Sequence, residues 1–207
     1  GTTSVGVIGS GTEIGVLSIG SAQNGAIILN GAIVTDGAVT IDGPVTLATG
    51  AVSVTTTNDA LTFNHSIDGG QTLTLVSGTA ATALQGEIGG TTAITSLTIT
   101  NGSAAGTIEV SNIAGTTGVV SLGNTNTATI TLDGTAYSTG GAQTYTAAAG
   151  QNIDITGAAA TFTSTNDNIG FATAGVDLAN NGTTTINTGT GAGDVTFGGA
   201  IETDGAD

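Results

Sequence analysis

Ala26-Ile27-Ile28-Leu29-Asn30-Gly31-Ala32-Ile33-Val34-Thr35-Asp36-Gly37-Ala38-Val39-Thr40-Ile41-Asp42-Gly43 is a run of short apolar stretches, each closed by Asn-Gly or Asp-Gly. Where apolar and polar residues alternate, as in Val39-Thr40-Ile41, two side chains point one way and the middle one points the other. That is the period of a β-strand, and the β-branched residues suit a pleated surface. The same cadence returns in Val45-Thr46-Leu47, Leu61-Thr62-Phe63, Leu73-Thr74-Leu75 and Leu97-Thr98-Ile99. It continues in Ile108-Glu109-Val110, Val120-Ser121-Leu122, Ile130-Thr131-Leu132, Ile153-Asp154-Ile155 and Val195-Thr196-Phe197. No stretch carries the 3.6-residue apolar period of an amphipathic helix.

Asn-Gly and Asp-Gly also stand at Asn24-Gly25, Asp68-Gly69, Asn101-Gly102, Asp133-Gly134 and Asn181-Gly182. In an ordinary sheet such dipeptides mark tight hairpins. Strands of about three residues are too short to build a stable sandwich from hairpins. In a solenoid the same residues turn the corners between faces of one coil, where left-handed backbone is expected.

Longer self-similarity points the same way, because repeats at a fixed period mark stacked arrays. Ile27–Ala38 realigns with Val195–Ala206 at an offset of 168, with seven of twelve positions identical. Val54-Thr55-Thr56-Thr57-Asn58-Asp59 likewise matches Phe162-Thr163-Ser164-Thr165-Asn166-Asp167 at an offset of 108. The reading is a single continuous β-solenoid over residues 1–207, a window of a longer array with a superrepeat of about 168 residues. Strand spacing gives about 20 residues per coil, hence roughly ten coils, and about 4.8 Å per stacked strand makes a rod near 50 Å long. One coil cannot bury its apolar residues alone, whereas stacked coils share a core.

Composition narrows the partners. The 207 residues include 15 Asp+Glu and no Lys or Arg, for a formal charge of −15. Nucleic acids are bound largely by cationic side chains, so no nucleic-acid partner is expected. Nor does any apolar run reach the roughly 18 residues that would span a bilayer, so no membrane insertion is expected. The hydrophobic fraction of 38% argues against global disorder. Cys is absent, which removes disulfides and thiolate metal sites. The chain begins at Gly1 without a signal peptide and reads as a mature or internal fragment. A chain without Lys, Arg or Cys, rich in Thr, Asn and Gly, matches a microbial surface protein, and an extracellular or cell-surface location is expected.

The cadence of Asp194-Val195-Thr196-Phe197-Gly198-Gly199-Ala200-Ile201 resembles the β-strand repeats of filamentous-haemagglutinin-like giant bacterial exoproteins. Gly86–Ile99 and Gly140-Gly141-Ala142-Gln143-Thr144-Tyr145 carry the same resemblance, which covers most of the chain from about Val54 onward. It implies a right-handed parallel β-helix, secreted as a stalk, adhesin or matrix fibre. It also implies partners that are neighbouring repeats end to end, and a host or neighbouring cell surface.

Sites of chemistry are sparse. His65, the one histidine, lies in Asn64-His65-Ser66 with no nucleophile elbow near it. A glycosidase would need paired acids and sugar-binding aromatics, whereas Asp36, Asp42, Asp59, Asp68, Glu87, Glu109, Asp133 and Asp154 are spread singly. No catalytic and no cofactor-binding residue is therefore assigned, and no enzymatic activity is expected. Calcium is the one ligand worth naming, with Asp59 and Asp167 as candidates because each follows an Asn in the matched segments. The bland reading, solvated acids that deter sideways aggregation, is preferred. Thr55-Thr56-Thr57 and Thr183-Thr184-Thr185 raise a hydroxyl face of the ice-binding kind, against which the irregular spacing speaks. Asn64, Asn101 and Asn181 fit the N-glycosylation pattern, at a frequency chance explains. The expected function is a structural β-solenoid segment extending end to end as a rigid anionic fibre. The alternative is a calcium-stabilised carbohydrate-binding or ice-binding surface.

Overall fold

A computed structural model of the chain describes residues 1–20, 25–101, 105–179 and 182–203. Every strand pairing in it is parallel, and no helix occurs among the described residues. The chain runs through three faces in strict rotation. From Ala26–Leu29 on face A it passes to Ile33–Thr35 on face B and Val39–Asp42 on face C, then returns to face A at Val45–Leu47. Face C holds nine stacked strands, from Leu17–Gly20 to Ile201–Thr203, and face B holds eight, from Ile33–Thr35 to Val195–Phe197. Face A is two four-stranded stretches joined through single bridges at Ile88, to Ile67 on one side and Ile113 on the other. The protein is a parallel β-solenoid of about eight turns.

The coils are longer than the strand cadence predicts, which is why there are about eight and not ten. Ile27 pairs with Val45, 18 residues on, but Gln143 pairs with Ile169, 26 residues on. The extra residues sit in the corners, and the strand pairs stay in register. At about 4.8 Å per coil the stack rises to roughly 40 Å.

Alternation does the packing. Val52–Thr56 buries Val52, Val54 and Thr56 and leaves Ser53 and Thr55 outside, and strands such as Ile33–Thr35, Val39–Asp42, Thr72–Val76 and Ser96–Thr100 repeat this alternation. Ile27, Leu29, Ile33, Val39, Ile41, Leu61, Leu73, Leu97, Ile108, Ile130 and Ile153 belong to one apolar seam that continues up the stack. Toward the C-terminal coils, aromatics replace the aliphatic residues. Tyr137 stacks on Phe162 at 4.7 Å, and Tyr145, Phe171 and Phe197 stack in series at 5.2 Å per step. Phe162 meets both Tyr145 and Phe171 edge-on, locking faces A and B together.

The corners correct one expectation. Gly69 does adopt φ of +111°, but Gly31, Gly37, Gly43 and Gly134 are absent from the left-handed region. At Gly134 the constraint is proximity, since a Cβ there would stand 1.7 Å from the Ser111 carbonyl oxygen of the preceding coil. Corner glycines in this fold mainly let one corner lie against the next.

Candidate functional surfaces

The interior holds polar chemistry that serves the fold. Gln143 is fully buried on face B. Its Nε2 lies 2.9 Å from the Tyr137 carbonyl, 2.8 Å from the Thr163 carbonyl and 3.1 Å from the Thr139 hydroxyl. Its Oε1 accepts a 2.8 Å hydrogen bond from the Tyr145 hydroxyl. The Tyr137 hydroxyl donates to the Val110 carbonyl and accepts from the Gly134 amide. Burial pushes both phenols far above the ordinary tyrosine range, so they stay neutral.

Asn101 anchors a second interior network between the face B and face C strands. Its Nδ2 donates to the Ser77 hydroxyl and the Ala80 carbonyl, and its Oδ1 accepts from the Thr127 hydroxyl in the next coil. Asn101 is fully buried, so the folded chain has no room for a glycan there.

Corner Asn and Asp side chains tie coil to coil, a role the sequence does not announce. Asn58 Oδ1 accepts from the Thr79 amide, Asn166 Oδ1 from the Gly191 amide, and Asn168 Oδ1 from the Asp194 amide. Asp68 Oδ1 accepts from the amides of Thr91 and Thr92, and Asn112 Oδ1 from those of Thr135 and Ala136. Each partner lies roughly one coil further along the chain.

This explains the recurrence that marked Asp59 and Asp167. Asn58 and Asn166 both have φ of 63°, and the Thr56 and Ser164 hydroxyls both donate to the carbonyl three residues on. The two segments are one type of turn, used after a face B strand in the first case and after a face A strand in the second. The structure does not bring Asp59 and Asp167 together, and the recurring hydrogen bond to the next coil belongs to the Asn that precedes each. Likewise Ile27 lies on face A and its counterpart Val195 on face B, so the segments 168 residues apart share a strand-corner-strand unit on different faces. No group of three or more His, Cys, Asp or Glu fit to hold a metal ion occurs among the described residues. His65 Nε2 lies 3.4 Å from Asp42 Oδ1, which also accepts from Asn64 Nδ2.

Outside, the faces differ in charge. On face B the outward residues Ser53, Thr74, Thr98, Ser121 and Thr144 stand in direct register on five successive strands. Gly170 interrupts the column and Thr196 resumes it. A second file beside it runs Val34, Thr55, Val76 and Thr100. No acid stands among the outward residues of these strands. Face C carries the acids instead. Glu109 stacks between Ala83 and Thr131, and Asp154, Asp177 and Glu202 follow one another in register. A groove of about 300 Å³ opens beside Asp177 and Glu202, bordered by Gln151, Asn152, Thr173 and Ala200.

The last described coil is apolar and open. Val195, Phe197 and Ile201 are exposed, and Phe197 and Ile201 border a cavity of about 150 Å³ with Ile155, Val176, Leu178 and Ile186. These features define the class, a three-faced parallel β-solenoid with a polar-stitched aliphatic and aromatic lumen. Compared with known proteins, the chain matches no family model, no curated protein and no solved structure.

Proposed function

We propose that the chain is a structural segment of a secreted or cell-surface filament or adhesin stalk, of the kind found in filamentous-haemagglutinin-like exoproteins. The supporting observation is a single axis: three parallel faces and one apolar seam run through all described coils. Load along that axis falls on the lumen and on the corner amides stitched by Asn and Asp, a design suited to a rigid spacer. The exposed Val195, Phe197 and Ile201 suit burial under a further coil, from this chain or another. Uncompensated charge on face C and at the corners keeps rods apart sideways. Electron microscopy of the protein tests the reading: rods of uniform width whose length grows end to end are expected. Discrete compact particles at all concentrations would refute it.

A second reading, a binding surface, draws support from face B. Irregular spacing in the sequence argued against an ordered hydroxyl array, yet folding places Ser53, Thr74, Thr98, Ser121 and Thr144 in one column. Neighbouring hydroxyls along the axis are about 4.8 Å apart, and alternate residues along a strand about 6.8 Å apart. The rings of face B point inward, so the surface offers hydroxyls and methyls without charge or aromatic platforms, which favours an ordered water lattice over sugar. Partition into growing ice, abolished by Thr98→Lys on face B and retained by Thr131→Lys on face C, is the result this reading expects. No partition of the unaltered protein into ice removes it.

A further inference from the structure

Among the described residues, acids in register on neighbouring strands occur in one row, Asp154-Asp177-Glu202 on face C. Glu109 has Ala83 and Thr131 as its in-register neighbours, and Asp68 has Thr46 while bonding two amides of the next coil. Asp154 and Asp177 instead face each other on hydrogen-bonded strands of face C, about 4.8 Å apart along the axis. Like charges directly opposite across a strand pair destabilise it. The chain contains no Lys or Arg that could intervene.

The geometry aggravates the conflict. Oδ1 of Asp154 and Oδ1 of Asp177 are each shielded from solvent and have no hydrogen-bond partner. An ionised carboxylate oxygen in that position bears an uncompensated desolvation cost. Glu202 continues the row beyond Asp177, but it is exposed in the last described coil and its longer side chain can turn to water. On the other side Asp154 meets Thr131, and Asp133 lies just past the end of that strand, exposed. Among the described residues, the titratable groups on the strands around the pair are therefore Glu202 and Asp133 in the adjacent coils and Glu109 one coil further off, all acids.

We propose that Asp154 and Asp177 share one proton across the coil boundary, making the C-terminal coils an acid-strengthened segment of the solenoid. A shared proton turns one orphan oxygen into a donor and the other into its acceptor, and removes the like-charge contact in the same step. The direction of titration agrees. Burial, and then the Asp177 charge, raise the Asp154 carboxyl above its ordinary range. A carboxyl raised in the folded state contributes stability that is complete below its ordinary value and is lost as pH rises through the raised one. This segment is therefore expected to hold most tightly under mildly acidic conditions.

The test uses the whole chain and two variants that each delete one face C charge, Asp177→Asn and Glu109→Gln. The thermal midpoint of the unaltered protein is expected to rise between about pH 8 and about pH 4. Glu109→Gln should keep that rise. Asp177→Asn should start higher at the alkaline end and lose most of the rise. A flat or falling midpoint in the unaltered protein overturns the proposal. Equal loss in both variants overturns it too, because general self-repulsion then accounts for the effect. Carbon-detected NMR of the Asp154 and Asp177 carboxyls gives a readout on the unaltered chain. The Asp154 carboxyl is expected to titrate above its ordinary range in the unaltered chain and to move back toward it in Asp177→Asn, and an Asp154 titration that Asp177→Asn leaves unchanged refutes the sharing.

Discussion

Replacing Gln143 with leucine keeps the volume of a buried side chain and removes every hydrogen bond its side-chain amide makes. The Tyr145 hydroxyl then loses its acceptor, and the carbonyls of Tyr137 and Thr163 each lose a donor 2.8–2.9 Å away. An orphaned buried polar group costs about 1–3 kcal/mol. Counting the hydroxyl in full and each carbonyl, which keeps a second lone pair, at the lower end gives about 3–5 kcal/mol for Gln143→Leu. Tyr145→Phe alone strands only the Gln143 Oε1 and should cost about 1–3 kcal/mol. The double variant Gln143→Leu/Tyr145→Phe removes the orphan hydroxyl together with its lost acceptor. It is expected to be more stable than Gln143→Leu alone, with a coupling energy of about 1–3 kcal/mol. Urea unfolding followed by tyrosine fluorescence measures this locally. The chain has no Trp and two Tyr, so the signal comes from the coils around Tyr137 and Tyr145. A cost under about 1 kcal/mol for Gln143→Leu, or a double variant no more stable than that single one, would refute the claim that this network holds faces A and B together.

Other substitutions probe the remaining layers. Asn101→Ala should cost about 1–3 kcal/mol by leaving the Thr127 hydroxyl without its acceptor, since the Ser77 hydroxyl keeps Thr82 and the Ala80 carbonyl, with amide exchange accelerated first at Ala80 and Asn124. Gly134→Ala drives a methyl into the Ser111 carbonyl and should cost about 3 kcal/mol or more in thermal denaturation, whereas Gly150→Ala, with open space around it, should cost only its positive-φ penalty of about 1 kcal/mol. Millimolar calcium should leave the thermal midpoint unchanged. A rise abolished by Asp59→Asn or Asp167→Asn would make those acids ligands after all.

The strands and their inward residues are legible in the sequence because alternation is a local property. Leu73-Thr74-Leu75 declares which side chains go inside whatever the coil length, and the observed burial follows it. What the sequence hides is everything that depends on which residue lies above which. Corner lengths vary, so neither the in-register hydroxyl column of face B nor the Asp154–Asp177 contact of face C can be read from spacing along the chain. The same holds for the corners. Asp133-Gly134 looks like a device for left-handed backbone, yet Gly134 acts by leaving room for Ser111, and Asn112, which precedes no Gly, accepts two amide protons from the next coil. The physical reason is common to both cases. In a solenoid the neighbour that matters is about one coil away, and corner residues are free to change number as long as the strands realign. Register therefore matters more than period in such a chain, which is how coils with corners of unequal length build faces as distinct as the uncharged B and the acidic C.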